Sequence, residues 1–118
     1  MATVLELLND NLFRVFNERD AAARQAAIDE VYTVDVVFTD PEGPATGRAI
    51  VEERAAKLLG ELPADFVFAE DGIAYTGKDA GALAWTLGPA GGEPVARGID
   101  VITVRDGRIA TLLTLVNQ

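Results

Sequence analysis

The stretch IDVITVRDGRIATLLTLV, residues 99–116, decides how this chain folds. Two runs rich in β-branched and aliphatic residues flank Asp106-Gly107. An Asp-Gly pair readily takes the two positive-φ positions of a tight hairpin turn, so the spacing predicts long strands over 95–105 and 108–116. The same texture extends upstream. Phe66 and Phe68 alternate, Gly77-Lys78-Asp79 marks a turn, 82–87 is another apolar run, and 88–92 is a glycine-rich loop. Four strands therefore fill the C-terminal half.

The N-terminal half has helical texture. Thr3 and Glu6 form a capping box ahead of Val4, Leu8, Leu12 and Val15, a stripe that Leu5, Phe13 and Phe16 widen. Asp20 is placed as the N-cap of a second helix running through the Ala-rich segment to about Tyr32. Residues 34–39 read as a strand, and a third helix is expected from about Gly47 to Gly60, with Gly60 as its C-cap. The order α-α-β-α-β-β-β-β, helices segregated from a mostly antiparallel sheet, is that of an α+β fold in a single domain, residues 1–118.

Composition narrows the chemistry. With 118 residues and 49% of them hydrophobic, the chain can bury a core without disulfides or metals. A formal net charge of -9 repels phosphate backbones and anionic headgroups, which argues against nucleic-acid and membrane partners. No apolar run approaches the roughly 20 residues of a membrane span. The opening MATVLELLNDN has neither a basic n-region nor a small-residue cleavage site, so a cytoplasmic location is expected.

The chain contains no His, Cys or Ser, which removes Ser/His and Cys/His nucleophilic sites, thiolate metal sites and an imidazole base. No closely spaced acidic loop suggests a metal, and Gly88, Gly91 and Gly92 lack the dinucleotide-binding spacing, so no cofactor is expected. Acid–base chemistry would have to come from Asp, Glu, Tyr or Lys.

Two aspartates stand out. Asp40-Pro41-Glu42-Gly43 satisfies a type I turn by itself, so local geometry accounts for Asp40 without any function. Asp100 interrupts a strand, where Asp is disfavoured, and shares its face with Gly98, Ile102 and Val104. It is either a sheet-edge residue facing water or a buried carboxyl that must be paired or neutral. Trp85 shares a strand face with Leu83 and Leu87, and its indole N–H calls for a partner.

Helix-helix-strand-helix followed by this hairpin resembles the nuclear transport factor 2-like superfamily, also called cystatin-like or SnoaL-like, over nearly the whole chain. The resemblance implies a cone-shaped curved sheet closed by three helices, and a homodimer through the outer sheet face, where Ile99 and Val101 would lie. Asp40-Pro41, Gly43-Pro44 and Gly47-Arg48 resemble the segment that carries the base of ketosteroid isomerase. Asp100 matches its oxyanion-binding carboxylic acid, which in that enzyme an apolar site keeps neutral so that it can donate a hydrogen bond. The pocket wall would then fall on Phe13, Phe16, Tyr32, Leu83, Trp85, Leu112 and Val116. Phe16 stands where that isomerase has its donating Tyr, and loss of one such donor costs on the order of 2.7–4 kcal/mol of transition-state stabilisation. The resemblance thus implies a relative with the same base acting on another substrate.

Three functions follow. The first is an isomerase or SnoaL-like polyketide cyclase, in which Asp40 is the general base on a small carbonyl compound and neutral Asp100 donates to the enolate, with Trp85 or Tyr32 as a second donor. The second is a non-catalytic binding domain for an apolar ligand. The third is a dimerising, partner-binding module whose cone is filled by side chains. The Asp-Arg-Asp set of an epoxide-opening relative is not met, since residues 111–118 contain no Asp.

Overall fold

A computed structural model describes residues 1–117. The elements run α1 (Val4–Asp10), a π-helical continuation (Asn11–Phe16), α2 (Ala21–Val31), β1 (Tyr32–Asp40), β2 (Gly43–Thr46), α3 (Arg48–Glu61), β3 (Phe66–Glu70), β4 (Tyr75–Thr76), β5 (Ala80–Pro89), β6 (Ala96–Arg105) and β7 (Arg108–Val116). This is the expected α+β order with two short strands added. One sheet holds them in the order β2-β1-β7-β6-β5-β3, with β4 on β5. Among the described residues only β1 and β7 pair in parallel; the other pairings are antiparallel.

The β6–β7 hairpin turns at Asp106 (φ 55°) and Gly107 (φ 73°), as the Asp-Gly pair requires. Register shifts between Tyr32 and Val37 and between Thr103 and Val104 bend the sheet. Such bulges increase local twist, and the curved sheet wraps the helices into a cone.

The first helix starts at its capping box, with Thr3 Oγ1 accepting from the Glu6 N–H and Glu6 accepting from the Thr3 N–H. Beyond Asp10 it loosens into a π-helix. Its buried residues come in pairs, Leu7-Leu8, Asn11-Leu12 and Val15-Phe16, stepping by four rather than 3.6. The expected stripe is corrected accordingly: Leu5 and Phe13 are exposed, and Leu7 and Asn11 take the inner positions.

Asp20 caps α2 as expected, its carboxylate accepting from Ala23 N–H at 2.9 Å. Gly60 lies inside α3 rather than capping it; the helix ends at Glu61 with Leu62 at the cap. Arg24, buried on α2, grips both carboxylate oxygens of Glu52 on α3 at 2.8 Å each and the Glu18 carbonyl at 2.7 Å. That bidentate pair locks α2 to α3.

Gly47 enters α3 at φ 106°, a region costly for residues with a Cβ. Arg48 then donates to the Tyr32 carbonyl at 2.7 and 3.1 Å, tying the helix start to the start of β1. Asn17 pairs its side-chain amide with both the N–H and C=O of Phe68, anchoring the π-helical end to β3. The core is continuous from Leu7, Leu12 and Phe16 through Val36, Phe38 and Val51 to Leu83, Trp85, Ile102 and Leu112.

Candidate active site

Helix α3, the π-helical segment and the inner face of β1, β3, β5, β6 and β7 enclose a cavity of about 410 Å³. The cone is therefore not filled by side chains. Leu12, Phe16, Phe38, Phe68, Trp85 and Leu87 supply most of its apolar wall. Phe16–Phe68 and Phe68–Trp85 meet edge to face and Phe16–Phe38 at a 59° tilt, with centroids 5.2–6.2 Å apart. Asp40, Pro41 and Glu42 from the β1–β2 turn, and Arg54, Lys57 and Glu61 from α3, bring the polar groups to the opening, where Glu42, Lys57 and Glu61 are exposed.

Asp100 lies at the floor, 6% exposed. It is not at a sheet edge: β6 lies between β5 and β7, and Asp100 is opposite Leu83 and Thr114. Trp85 Nε1 donates to its Oδ1 at 3.1 Å, Thr114 Oγ1 to the same oxygen at 2.8 Å, and Asn11 Nδ2 to Oδ2 at 3.0 Å. Behind Asn11, the fully buried Tyr32 hydroxyl donates to Asn11 Oδ1. Burial pushes the Asp100 carboxyl up from 3.8 to about 6, and the three donors hold it from rising further. Burial, followed by the charges of Asp100 and Asp10, raises the Tyr32 phenol, which stays protonated.

Asp40 is set differently. The turn expected at 40–43 is a hairpin linking β1 to β2, with Gly43 at φ 103° and Glu42 N–H donating to Asp40 Oδ1 at 2.9 Å. Arg54 Nη1 reaches the same oxygen at 2.7 Å and the Gly43 carbonyl at 3.1 Å, while its guanidinium lies over the Phe38 ring at 5.4 Å. Among the described residues, Asp40 Oδ2 and the Nε and Nη2 of Arg54 have no hydrogen-bond partner.

The cavity thus brings together Asp40, Asp100, Phe16, Trp85 and Val116 of the residues expected at the site. Phe13 is not among its walls: it is 39% exposed, because the π-helical turn rotates it outward. Leu83 and Leu112 are fully buried beneath the lining rather than in it. Tyr32 is likewise sealed behind Asn11, and the Trp85 N–H is committed to Asp100, so neither is free to donate to a ligand. Asn11, Arg54 and Thr114 were not anticipated. Asn11 carried a readable signal, a polar residue one turn from Leu7-Leu8 and Val15-Phe16 in a stripe of period four.

Among the described residues, no three Asp or Glu side chains gather as a metal site, and no helix is long and apolar enough to cross a membrane.

A helix-closed, curved α+β sheet with one polar-floored cavity places the molecule among the cone-shaped, cystatin-like proteins. The chain belongs to the SnoaL-like domain family, whose model matches residues 10–112. Solved structures agree. A candidate isomerase of the SnoaL-like family from Agrobacterium tumefaciens superposes with TM-score 0.87 at 20% identity, covering 98% of this chain and 97% of its own. A protein of unknown function with a cystatin-like fold from Xanthomonas campestris gives 0.74 at 15%, covering 100% and 92%. A candidate polyketide cyclase from Sinorhizobium meliloti gives 0.71 at 18%, covering 92% of each chain. No curated protein matches the sequence.

Proposed function

We propose that the protein is a proton-transferring enzyme of the isomerase or cyclase type, acting on a small apolar carbonyl compound held in the cone. One observation carries this reading: a buried carboxyl at the floor of an apolar cavity that, among the described residues, meets three neutral donors and no cation, an environment that pushes it up to about 6. A base poised near neutral pH is what proton abstraction needs. The fold shared with candidate isomerases and cyclases is consistent with it.

The donor pattern favours Asp100 as the base. Every hydrogen bond around it ends on a carboxylate oxygen, so the ionised form, though disfavoured by burial, is supplied with donors on both oxygens. Asp100 removes a proton α to the substrate carbonyl, and the C–H electron pair enters the enolate. The enolate oxygen, directed to the mouth, meets the unused donors of Arg54, whose guanidinium is held in advance by Asp40, Gly43 and Phe38. Return of the proton from Asp100 to a different carbon completes an isomerisation. In a cyclisation, the enolate carbon bonds to a second carbonyl carbon of the same molecule, and the resulting alkoxide takes the proton.

The unpartnered Oδ2 of Asp40 favours a second reading, in which Asp40 takes the proton and neutral Asp100 donates to the enolate. The pH profile separates the two. Activity that climbs as pH rises through about 6 belongs to an Asp100 base, and activity that falls there belongs to an Asp100 acid.

The experiment is α-proton exchange. A panel of cyclic ketones and 1,3-dicarbonyl compounds is incubated with protein in deuterated water, and loss of the α-proton signal is followed by NMR. Protein-dependent exchange, lost in Asp100→Asn by roughly 100-fold or more, is the expected result. A ligand that raises the melting temperature of wild type, Asp40→Asn and Asp100→Asn alike, with no exchange, would make this a binding domain. On the opposite side of the sheet, exposed Ile99, Leu113 and Leu115 support the homodimer reading, which sedimentation velocity tests.

A further inference from the structure

We propose that Tyr32 and Asn11 are positioning residues for Asp100: the Tyr32 hydroxyl dictates which way the Asn11 amide faces, so that Asp100 meets only hydrogen-bond donors. The argument begins with the amide itself. Asn11 is fully buried between two polar neighbours and can present either its oxygen or its NH₂ to each. What decides is the hydroxyl behind it.

Among the described residues Asn11 is the only hydrogen-bond partner of the buried Tyr32 hydroxyl, so the phenolic hydrogen has one acceptor, Asn11 Oδ1. That leaves Nδ2 facing Asp100 Oδ2 at 3.0 Å. Reversing the amide would aim a carbonyl at a carboxylate and strand the phenolic hydrogen in the core. Asn11 opens the π-helical segment one turn beyond Leu7 and Leu8, on the same buried face of the first helix.

The groups around Asp100 keep the effect specific. Trp85 from β5, Thr114 from β7 and Asn11 from the π-helical segment are neutral. Asp40 and Glu42 from β1 and its turn, and Arg54, Lys57 and Glu61 from α3, line the cavity elsewhere. Behind Tyr32 lies Asp10, which pairs with Arg14 at 3.4 Å on the surface side. Without Tyr32's hydroxyl, the amide is free to turn its oxygen to Asp100 and accept from the protonated carboxyl, which raises the proton affinity of that carboxyl.

The catalytic meaning of this inference rests on Asp100 being the proton carrier of the proposed reaction, but its test uses no substrate. Trp85 is the chain's single Trp and donates directly to Asp100, and the chain has no His to titrate in the same range. Its emission is followed against pH in wild type, Asp100→Asn, Tyr32→Phe, Asn11→Leu and the Tyr32→Phe/Asn11→Leu double variant. Wild type is expected to show a transition near 6 that Asp100→Asn abolishes. Tyr32→Phe raises the midpoint by roughly half to one pH unit, about one hydrogen bond's worth. Asn11→Leu raises it at least as far, and the double variant equals Asn11→Leu alone because Tyr32 acts through Asn11.

A Tyr32→Phe midpoint unchanged from wild type, or shifts that add in the double variant, overturns the proposal. Should Tyr32→Phe not fold, NMR of the wild-type protein decides. An Asn11 side-chain NH₂ resonance that titrates together with the Asp100 carboxyl carbon upholds the proposal, and one indifferent to pH overturns it. A protein that shows these shifts yet exchanges no α-proton keeps the positioning pair and loses only the enzymatic reading.

Discussion

Arg24 and Asp100 are both charged groups taken out of water, and the protein treats them in opposite ways. Arg24 meets a full counter-charge: both oxygens of Glu52 at 2.8 Å, with a backbone carbonyl on the remaining nitrogen. Its proton affinity is raised, chiefly by Glu52, and the pair joins two helices without facing the cavity. Asp100 meets only dipoles, an amide, an indole and a hydroxyl, so burial outweighs them and leaves it titrating at about 6. Complete compensation gives a chemically inert clamp. Incomplete compensation beside a cavity leaves a proton affinity that chemistry can use, which is why such a carboxyl marks a functional site.

The comparison can be broken first at its structural end. Arg24→Met leaves Glu52 without its partner on a largely apolar helix contact and should cost about 3 kcal/mol, read from urea denaturation. The double variant Arg24→Met/Glu52→Leu should recover most of that loss, since an apolar pair of similar volume often replaces a buried ion pair without penalty.

Gly98→Ala comes next. A Cβ there would lie 2.5 Å from the Leu115 carbonyl and inside the van der Waals radius of Trp85. Overpacking of this kind costs about 1–3 kcal/mol and would push the indole off Asp100, so the pH transition in Trp85 emission should weaken as stability falls.

Asp100→Asn should change how stability depends on pH. A carboxyl raised from 3.8 in the unfolded chain to about 6 in the fold binds its proton more tightly when folded. Its contribution to stability is therefore fully present below about 3.8 and is lost as pH rises through about 6. The loss is roughly 3 kcal/mol at 1.36 kcal/mol per unit. Asp100→Asn removes that slope, so its stability relative to wild type should rise from pH 5 to pH 8. This comes on top of a pH-independent cost, because the new amide NH₂ must face one of the donors that now point at Asp100. Denaturation midpoints of both proteins at pH 5 and 8 measure this. A wild type that gains stability from pH 5 to 8 relative to the variant would refute it.

How far these sites were legible in the sequence follows from where their information sits. Local signals served well: the Asp106-Gly107 turn, the caps at Thr3 and Asp20, and an Asp inside an apolar strand that is indeed buried. Phe13 was misplaced because a π-helical stretch changes the period on which helix faces are counted. Tyr32, by contrast, opens β1 and spends its hydroxyl on Asn11, a pairing across 21 residues that spacing does not reveal. Strand β2 escaped notice because Gly43-Pro44 reads as loop, although an edge strand tolerates Pro where no ladder N–H is needed. Arg24 and Arg54 gave no signal, since their partners depend on how α3 docks rather than on spacing along the chain.

The smallest expected effect sharpens the comparison from within the Asp100 site itself. Thr114 donates to Asp100 Oδ1 at 2.8 Å, a shorter hydrogen bond than the 3.0 Å one from Asn11. Distance alone would rank Thr114 the stronger influence. Thr114, however, is only partly buried and lines the cavity, whereas Asn11 is sealed in the core. In Thr114→Val, a water molecule in the cavity can take over the lost donation, so the Asp100 midpoint should rise by less than about half a unit with stability nearly unchanged. Asn11→Leu leaves no room for such a substitute. If Thr114→Val moved the Trp85 emission midpoint as far as Asn11→Leu, solvent access would not be what separates the two donors, and the proton affinity of Asp100 would follow hydrogen-bond length alone.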